Sequence, residues 1–152
     1  MTIATAAAPA SPSDLDERAA MTVADALKII LADSYAVYLK TKNFHWHVSG
    51  PYFRDYHLLL DEQAAEILAV TDAIAERARK TGNTTIRSIG DVARHQTIKD
   101  NDADFVKPQD MLAELRADNL SMVESFRRAK DIADAARDNG TFGLIYTCTD
   151  EA

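Results

Sequence analysis

Apolar side chains recur at intervals of three and four residues along most of this chain, which is the spacing of one face of an α-helix. The first stripe predicts a helix that starts between Asp16 and Thr22 and ends near Val48, where Ser-Gly-Pro at 49–51 interrupts it. The stripe consists of Val23, Leu27, Ile30, Val37, Phe44 and Val48. A helix of this kind is stable in water mainly when its apolar face is buried, so other helices must pack against it.

The rest of the chain predicts three more long helices and one short one. Gly82 follows the second helix, and Pro108 begins the third. The predicted spans are about 51–81, a short helix around 88–96, 108 to 139–140, and 141 to the chain end at 152. We therefore predict an all-α four-helix bundle with a short extra helix in the long connection between the second and third helices, and with a truncated last helix.

Composition and charge narrow the class of protein. The 152 residues predict one domain at 16–152, and residues 1–15, which are rich in Ala, Ser, Thr and Pro, are expected to form a disordered tail. The net charge of −7 argues against a basic nucleic-acid-binding face. The single cysteine, Cys148, excludes an internal disulfide, and no apolar run is long enough to span a bilayer. These features predict a cytoplasmic protein that does not associate with membranes.

The predicted second helix has three distinct faces when its residues are placed about 100° apart. The core face carries Tyr56, Leu60, Gln63, Ile67, Val70 and Ile74. A second face combines apolar residues with His57, Asp61, Asp72 and Glu76, and the third face is charged. A monomer needs to bury only one face of such a helix, so the second face indicates a partner.

The spacing of the ligand-type residues limits how they can share a metal ion. His57 with Asp61, and Asp72 with Glu76, are each four residues apart, so each pair converges on one point. The two pairs are roughly 22 Å apart along the helix, whereas metal–ligand bonds are about 2 Å long. One helix cannot bring both pairs to one ion, but two copies packed antiparallel about a two-fold axis can. His45 can reach toward His57 across the turn, which leads to the hypothesis of two equal metal sites at a two-fold interface.

The residue types alone leave alternatives open. A His/Asp pair at this spacing is also typical of a surface contact, and Trp46 with its aromatic neighbours is more typical of a core than of a redox site. Imidazole and carboxylate donors suit Zn(II), Mn(II) and Co(II) as well as Fe(II). His47 and His95 are given no role. The donor set therefore predicts a divalent metal without choosing among them.

Two segments, KTKNFHWHVSGPYFRDYHLLLDEQ at 40–63 and DAIAERARKTG at 72–82, resemble the Dps family of ferritin-like proteins. The family motif has a His directly before a Trp, a second His twelve residues on, an Asp four residues later, and then D-x-x-x-E-R. The matching positions here are His45, Trp46, His57, Asp61, Asp72 and Glu76. Every spacing agrees, and the resemblance extends over about residues 20–152.

The resemblance implies a ferritin-like bundle that acts as a ferroxidase and iron-storage protein. Two-fold dimers build a hollow dodecamer, in which Fe(II) is oxidised to Fe(III) with hydrogen peroxide and ferric mineral collects inside, so that DNA is protected from oxidative damage. Trp46 is implied as a radical quencher. The implied ligands, contributed by two chains, are His45, His57, Asp61, Asp72 and Glu76.

Four further acidic residues are candidates under this resemblance. Glu62 and Glu66, on the charged face of the second helix, are candidates for mineral nucleation, with a solvated acidic face as the alternative. Asp134 and Asp138, at the end of the third helix, are candidates for an iron-entry pore.

Two features depart from the family pattern. Many relatives bind DNA through a Lys/Arg-rich tail, but here Arg18 is the only basic residue before Lys28, so few cations are present to neutralise phosphates. The last helix is also shorter than the family's. The alternatives to a ferroxidase are a DNA-compacting, nucleoid-binding protein with secondary metal binding, and a structural bundle with vestigial ligands. We expect a cytoplasmic protein that is nucleoid-associated at most.

Overall fold

The computed structural model describes residues 12–151, and six α-helices account for most of them. In chain order the helices are α1 (Glu17–His47), α2 (Phe53–Ala69), α3 (Thr71–Lys80), α4 (Ile89–His95), α5 (Pro108–Ala135) and α6 (Asn139–Glu151). No strand occurs within the described range, and no helix in it is long and apolar enough to cross a membrane. The all-α bundle with a short extra helix, α4, is therefore confirmed. Most of the predicted N-terminal tail, residues 1–11, lies outside the described residues.

The central helix of the bundle is α1. It contacts α2, α3, α4 and α5, whereas α6 packs against α5 and α3. Asp16 caps the start of α1, because its carboxylate accepts a hydrogen bond from the Ala19 N–H at 3.2 Å. The main core cluster includes Val23, Leu27, Ile30, Ile74, Met122, Phe126 and Ile145. The apolar stripe of the first predicted helix is therefore the face that the other helices cover.

A tight corner joins α1 to α2. The Val48 N–H donates to the Phe44 carbonyl at 2.8 Å, and the Phe53 N–H donates to the Gly50 carbonyl at 3.1 Å. Gly50 has a φ of +106°, which residues with a side chain rarely adopt, so this turn favours glycine. A second core cluster supports the corner and consists of Phe44, Val48, Leu60, Met111 and Leu115. The corner places the end of α1 beside the first turn of α2.

The predicted second helix is divided, which the apolar pattern did not indicate. Its first part, α2, ends at Ala69, and α3 begins at Thr71. The buried Thr71 hydroxyl donates to the Leu68 carbonyl at 2.7 Å, and local side-chain bonds of this kind compete with the helical ladder. Val70 between them keeps a helical backbone, with φ −86° and ψ −14°. Together α2 and α3 therefore still serve as one helix of the bundle.

The third bundle helix, α5, ends earlier than the predicted 139–140. Arg137 takes a left-handed φ of +56°, and its N–H donates to the Asp134 carbonyl at 2.9 Å. The Asp138 N–H donates to the Ala133 carbonyl at 2.8 Å, which completes a Schellman motif. The Asp138 carboxylate then accepts the Thr141 N–H at 3.0 Å and caps α6. The last helix consequently starts at 139 instead of 141.

Two buried ionic side chains tie α1 to its neighbours. Asp33 accepts a hydrogen bond from the Thr97 hydroxyl at 2.7 Å, which anchors the long connection. Lys40 pairs with Glu114 at 2.9 Å and Asp118 at 2.8 Å, both on α5. Burial raises the pKa of the Asp118 carboxyl above its usual value, although Lys40 opposes this effect. These contacts hold α1 against the long connection and against α5.

Candidate metal centre

Two of the predicted ligands, His45 and His57, meet at the corner between α1 and α2. Their imidazole rings stack with centroids 3.7 Å apart and planes inclined by 20°. Nδ1 of His45 lies 2.7 Å from the backbone oxygen of His57, and Nδ1 of His57 lies 2.9 Å from the backbone oxygen of His45. The approach of His45 to His57 across the turn, expected from the sequence, is therefore present in the structure.

The reciprocal pairing fixes the tautomer of both rings. A carbonyl oxygen can only accept a hydrogen bond, so Nδ1 of each imidazole must carry the hydrogen. In a neutral imidazole the other nitrogen, Nε2, then has a free lone pair, and a metal ion can bind there. Both rings are thus set in the tautomer that metal ligation through Nε2 requires.

The third predicted ligand, Asp61, lies one turn along α2 from His57. Its Oδ1 is 3.9 Å from Nε2 of His45 and 2.7 Å from Nζ of Lys42. The hydrogen bond and positive charge of Lys42 hold the pKa of the Asp61 carboxyl below its usual value. Asp61 is therefore an ionised carboxylate whose present counter-ion is a lysine of α1.

The remaining two predicted ligands form a separate pair on α3. Asp72 and Glu76 are both exposed, and Glu76 lies 3.5 Å from Nζ of Lys80. Among residues 12–151 of the single chain, no three His, Cys, Asp or Glu side chains are grouped closely enough to hold a metal ion. One chain thus brings His45 and His57 together beside Asp61, and the carboxylates of α3 do not join them in one cluster.

Three of the aromatic residues near the histidines lie at the surface of the single chain. Trp46 is 59% exposed, and its ring centroid is 5.9 Å from Nζ of Lys42. Tyr52 and Phe53 are exposed as well. The interpretation of the aromatic cluster as core is therefore confirmed for Phe44, which is buried, and for Tyr56, which packs against the same core cluster. It is wrong in the single chain for Trp46, Tyr52 and Phe53, which are exposed.

The acidic candidates outside the ligand set differ in their surroundings. Glu62, Glu66 and Asp134 are exposed. Asp138 is buried, pairs with Arg77 at 2.7 Å and caps α6. The roles of these residues in nucleation and in a pore remain predictions, and of the two pore candidates only Asp134 has an exposed side chain.

Sequence reasoning assigned no role at the site to two residues that contact predicted ligands, Lys42 and Phe53. Lys42 precedes His45 by three residues, and Phe53 precedes His57 by four. The Phe53 ring stacks on the His57 ring with centroids 4.9 Å apart and planes inclined by 26°. Residues three and four apart share one side of a helix, so this spacing was a signal that could have identified both neighbours.

A helical bundle that carries imidazole and carboxylate side chains on neighbouring helices is characteristic of the ferritin-like class. Residues 24–151 match the family model described as "Ferritin-like domain", which covers most of the chain. Within that class, the chain belongs to the Dps family, as the following relatives show.

The chain is 33% identical over 133 residues to the "DNA protection during starvation protein" of Agrobacterium fabrum, with 88% of this chain and 82% of that protein aligned. It is 31% identical over 131 residues to the protein of the same name from Halobacterium salinarum, with 86% of this chain and 72% of that protein aligned. The crystal structure of an archaeal Dps homologue from Halobacterium salinarum superposes with a TM-score of 0.87 at 28% identity, and covers 99% of this chain and 86% of that one.

Proposed function

We propose that this chain is a ferroxidase and iron-storage protein whose substrate is Fe(II). Each site combines His45, His57 and Asp61 of one chain with Asp72 and Glu76 of a second chain. The observation that carries the proposal is the reciprocal pairing of the two histidines, which presents two Nε2 lone pairs beside an ionised carboxylate. Neutral imidazole together with carboxylate is a donor set that suits Fe(II), and it also suits Zn(II), Mn(II) and Co(II).

The surface around the histidines suits a second copy of the chain. Leu58 and Leu68 are 46% and 40% exposed and belong to the same sector of the helix as His57. Removing such apolar side chains from water is favourable, so this face gains free energy when it is covered. A two-fold axis here sets α2 and α3 antiparallel to their counterparts, which supplies the missing carboxylates and produces two equal sites.

The proposed ligands favour oxidation of the bound iron. Carboxylates place negative charge next to the ion, and this stabilises Fe(III) more than Fe(II) because the attraction grows with the charge of the cation. Hydrogen peroxide accepts two electrons, so two Fe(II), one peroxide and two protons give two Fe(III) and two water molecules. The chain binds Fe(II) through Nε2 of the two histidines and through carboxylate oxygens. The incoming ion replaces Lys42 as the counter-ion of Asp61.

The oxidised iron then collects inside a dodecameric shell in the cytoplasm. Glu62 and Glu66 nucleate the mineral, Asp134 lines a pore for iron entry, and Trp46 quenches stray one-electron oxidants. Removal of Fe(II) and peroxide together protects DNA, and the relatives from Agrobacterium fabrum and Halobacterium salinarum are named for DNA protection.

Two measurements on the purified protein test this function. Light scattering on a sizing column is expected to give about 200 kDa, which is twelve copies of the 16.7 kDa chain. Anaerobic Fe(II) is expected to be oxidised on addition of peroxide at half the iron concentration, with no hydroxyl radical detected by spin trapping. A monomer that oxidises iron no faster than buffer would refute the proposal.

Direct DNA compaction is the competing function. The chain carries a net charge of −7, and Arg18 is the only basic residue before Lys28, so the N-terminal segment supplies few cations to displace the counter-ions of DNA. No shift of linear DNA is therefore expected in a gel at low salt. Tight binding that disappears as salt is raised would instead favour the nucleoid-binding alternative.

A Lys42→Met variant is expected to bind Co(II), a probe that is not oxidised by air on this timescale, about fivefold more tightly than the wild type. Methionine keeps a long flexible stem but lacks the ammonium that an incoming cation must displace from Asp61, and the loss of a solvent-exposed ion pair of this kind changes a binding equilibrium only modestly. Titration calorimetry measures the affinity. Lys28→Met, which removes a lysine paired with Asp25 at 3.4 Å, is the matched control and should bind as the wild type does. Equal affinities for all three proteins would show that Lys42 does not compete with the metal.

A further inference from the structure

Phe53 covers the imidazole of His57 and has no part in the proposed ligand set. The two rings are stacked with centroids 4.9 Å apart. One face of the His57 ring already lies against the ring of His45 at 3.7 Å. A flat ring has only two faces, so we infer that Phe53 lies on the other, and that the three rings form one stack.

The position of His57 explains why such a cover matters. His57 lies in the second turn of α2, and the Tyr52 residue that precedes the helix provides no side-chain cap. Helix ends without a cap fray, because their first N–H groups have no partner within the helix. The first turn of α2 is therefore held largely by the corner backbone and by ring contacts.

A single hydrogen bond holds the functional orientation of the His57 ring. Nδ1 donates to the backbone oxygen of His45 at 2.9 Å, and this bond leaves Nε2 as the nitrogen that can bind a metal ion. Without Phe53 stacked on it, the ring keeps only its contacts with His45, and we expect it to rotate about its side-chain bonds into solvent more readily. When the Nδ1 hydrogen bond is lost, neither the tautomer of the ring nor the direction of the Nε2 lone pair is fixed any longer.

We propose that Phe53 is a positioning residue for the metal site, which holds the His57 imidazole in the orientation that presents Nε2. This inference rests on the proposed function, because it takes His57 to be a ligand. Phe53 itself contacts no metal and acts only through His57. Its ring, not its apolar character, is the feature that matters, because a flat group stacks on the face of an imidazole, which a branched aliphatic side chain does not do.

Three variants of the full chain separate these effects. Phe53→Leu keeps an apolar side chain but removes the ring, whereas Phe53→Tyr keeps the ring. Tyr52→Leu is the matched control, because Tyr52 is the adjacent exposed aromatic and packs against Tyr56 instead of His57. The centroids of the Tyr52 and Tyr56 rings are 6.1 Å apart. Sizing and thermal unfolding show first that all variants assemble and fold as the wild type does.

Co(II) affinity and metal-free crystal structures then give two independent readouts. Phe53→Leu is expected to weaken Co(II) binding about tenfold, which is the size of effect typical for groups that orient a ligand, and to show the His57 ring away from the His45 carbonyl. Phe53→Tyr and Tyr52→Leu are expected to match the wild type in both readouts.

The outcomes distinguish this inference from the proposed function. If Phe53→Leu binds Co(II) as the wild type does and its His57 ring is unmoved, the positioning role is wrong, while the ferroxidase proposal stands. If the wild type itself binds no Co(II), the proposed site is wrong, and the metal-free structures still decide whether Phe53 holds the ring.

Discussion

Replacing His45 and Asp72 together by alanine is expected to slow peroxide-driven Fe(II) oxidation at least about 100-fold. The double variant removes one ligand from each half of the proposed site, so both sites of every dimer lose an imidazole and a carboxylate. Removal of a group that merely orients a ligand costs about 10- to 100-fold in metal affinity or activity, and removal of two ligands should cost no less. Stopped-flow absorbance of the ferric product measures the rate.

The matched control carries the same two kinds of substitution outside the site. His47→Ala/Asp55→Ala also removes one imidazole and one carboxylate from exposed positions near the corner, and it should oxidise iron at the wild-type rate.

His45 is buried, so its loss can also disturb the corner. Asp72→Ala/Glu76→Ala avoids this problem, because both residues are exposed on α3. Wild-type rates in both site variants would leave only a structural role for the bundle.

The two longest helices, α1 and α5, could be predicted well from the sequence because each buries a long stripe of side chains at regular intervals. The stripe of α1 and the proline that begins α5 both lie where the pattern placed them. The predicted helix boundaries are wrong where the backbone conformation depends on a local contact. The second helix is divided where the Thr71 hydroxyl bonds back to the Leu68 carbonyl, and Arg137 takes the left-handed conformation at the end of α5, a position where glycine is the usual residue.

The candidate site was predictable only in part, and the reason is physical. Spacing along a helix tells which residues share a side, so the association of His57 with Asp61 and the approach of His45 followed from the sequence. Spacing does not tell where a ring nitrogen points, and the exchange of Nδ1 hydrogen bonds between the two histidines depends on the angle between α1 and α2. Lys42 and Phe53 were given no role at the site because neither is a ligand type, although both contact ligand-type residues.

Two variants that are each inactive are expected to recover about one quarter of the wild-type ferroxidase activity when they are unfolded, mixed in equal amounts and assembled together. The first variant, Asp72→Ala/Glu76→Ala, keeps the histidine half of the site. The second, His57→Ala/Asp61→Ala, keeps the carboxylate half. In a dimer of the two, one interface site combines both intact halves, and the other site combines both damaged halves.

The expected fraction follows from random pairing about the two-fold axis. About half of the dimers contain one chain of each kind, and each of these has one intact site out of two. Dimers of two identical variants have none. The recovered activity should therefore depend on the mixing ratio and reach its maximum at equal amounts, with the initial rate of ferric product formation as the measurement.

A site built within one chain makes the opposite prediction. Every chain in the mixture then carries a broken site, so no ratio restores activity. Mixing the fully assembled variants without unfolding is the control, and it should stay inactive as long as subunits do not exchange. Mixed assembly with no recovery, in shells that native mass spectrometry shows to contain both variants, would disprove the shared site. Recovery near one quarter would instead mean that the carboxylates of α3 act on the histidines of a neighbouring copy, because no intact site is otherwise present.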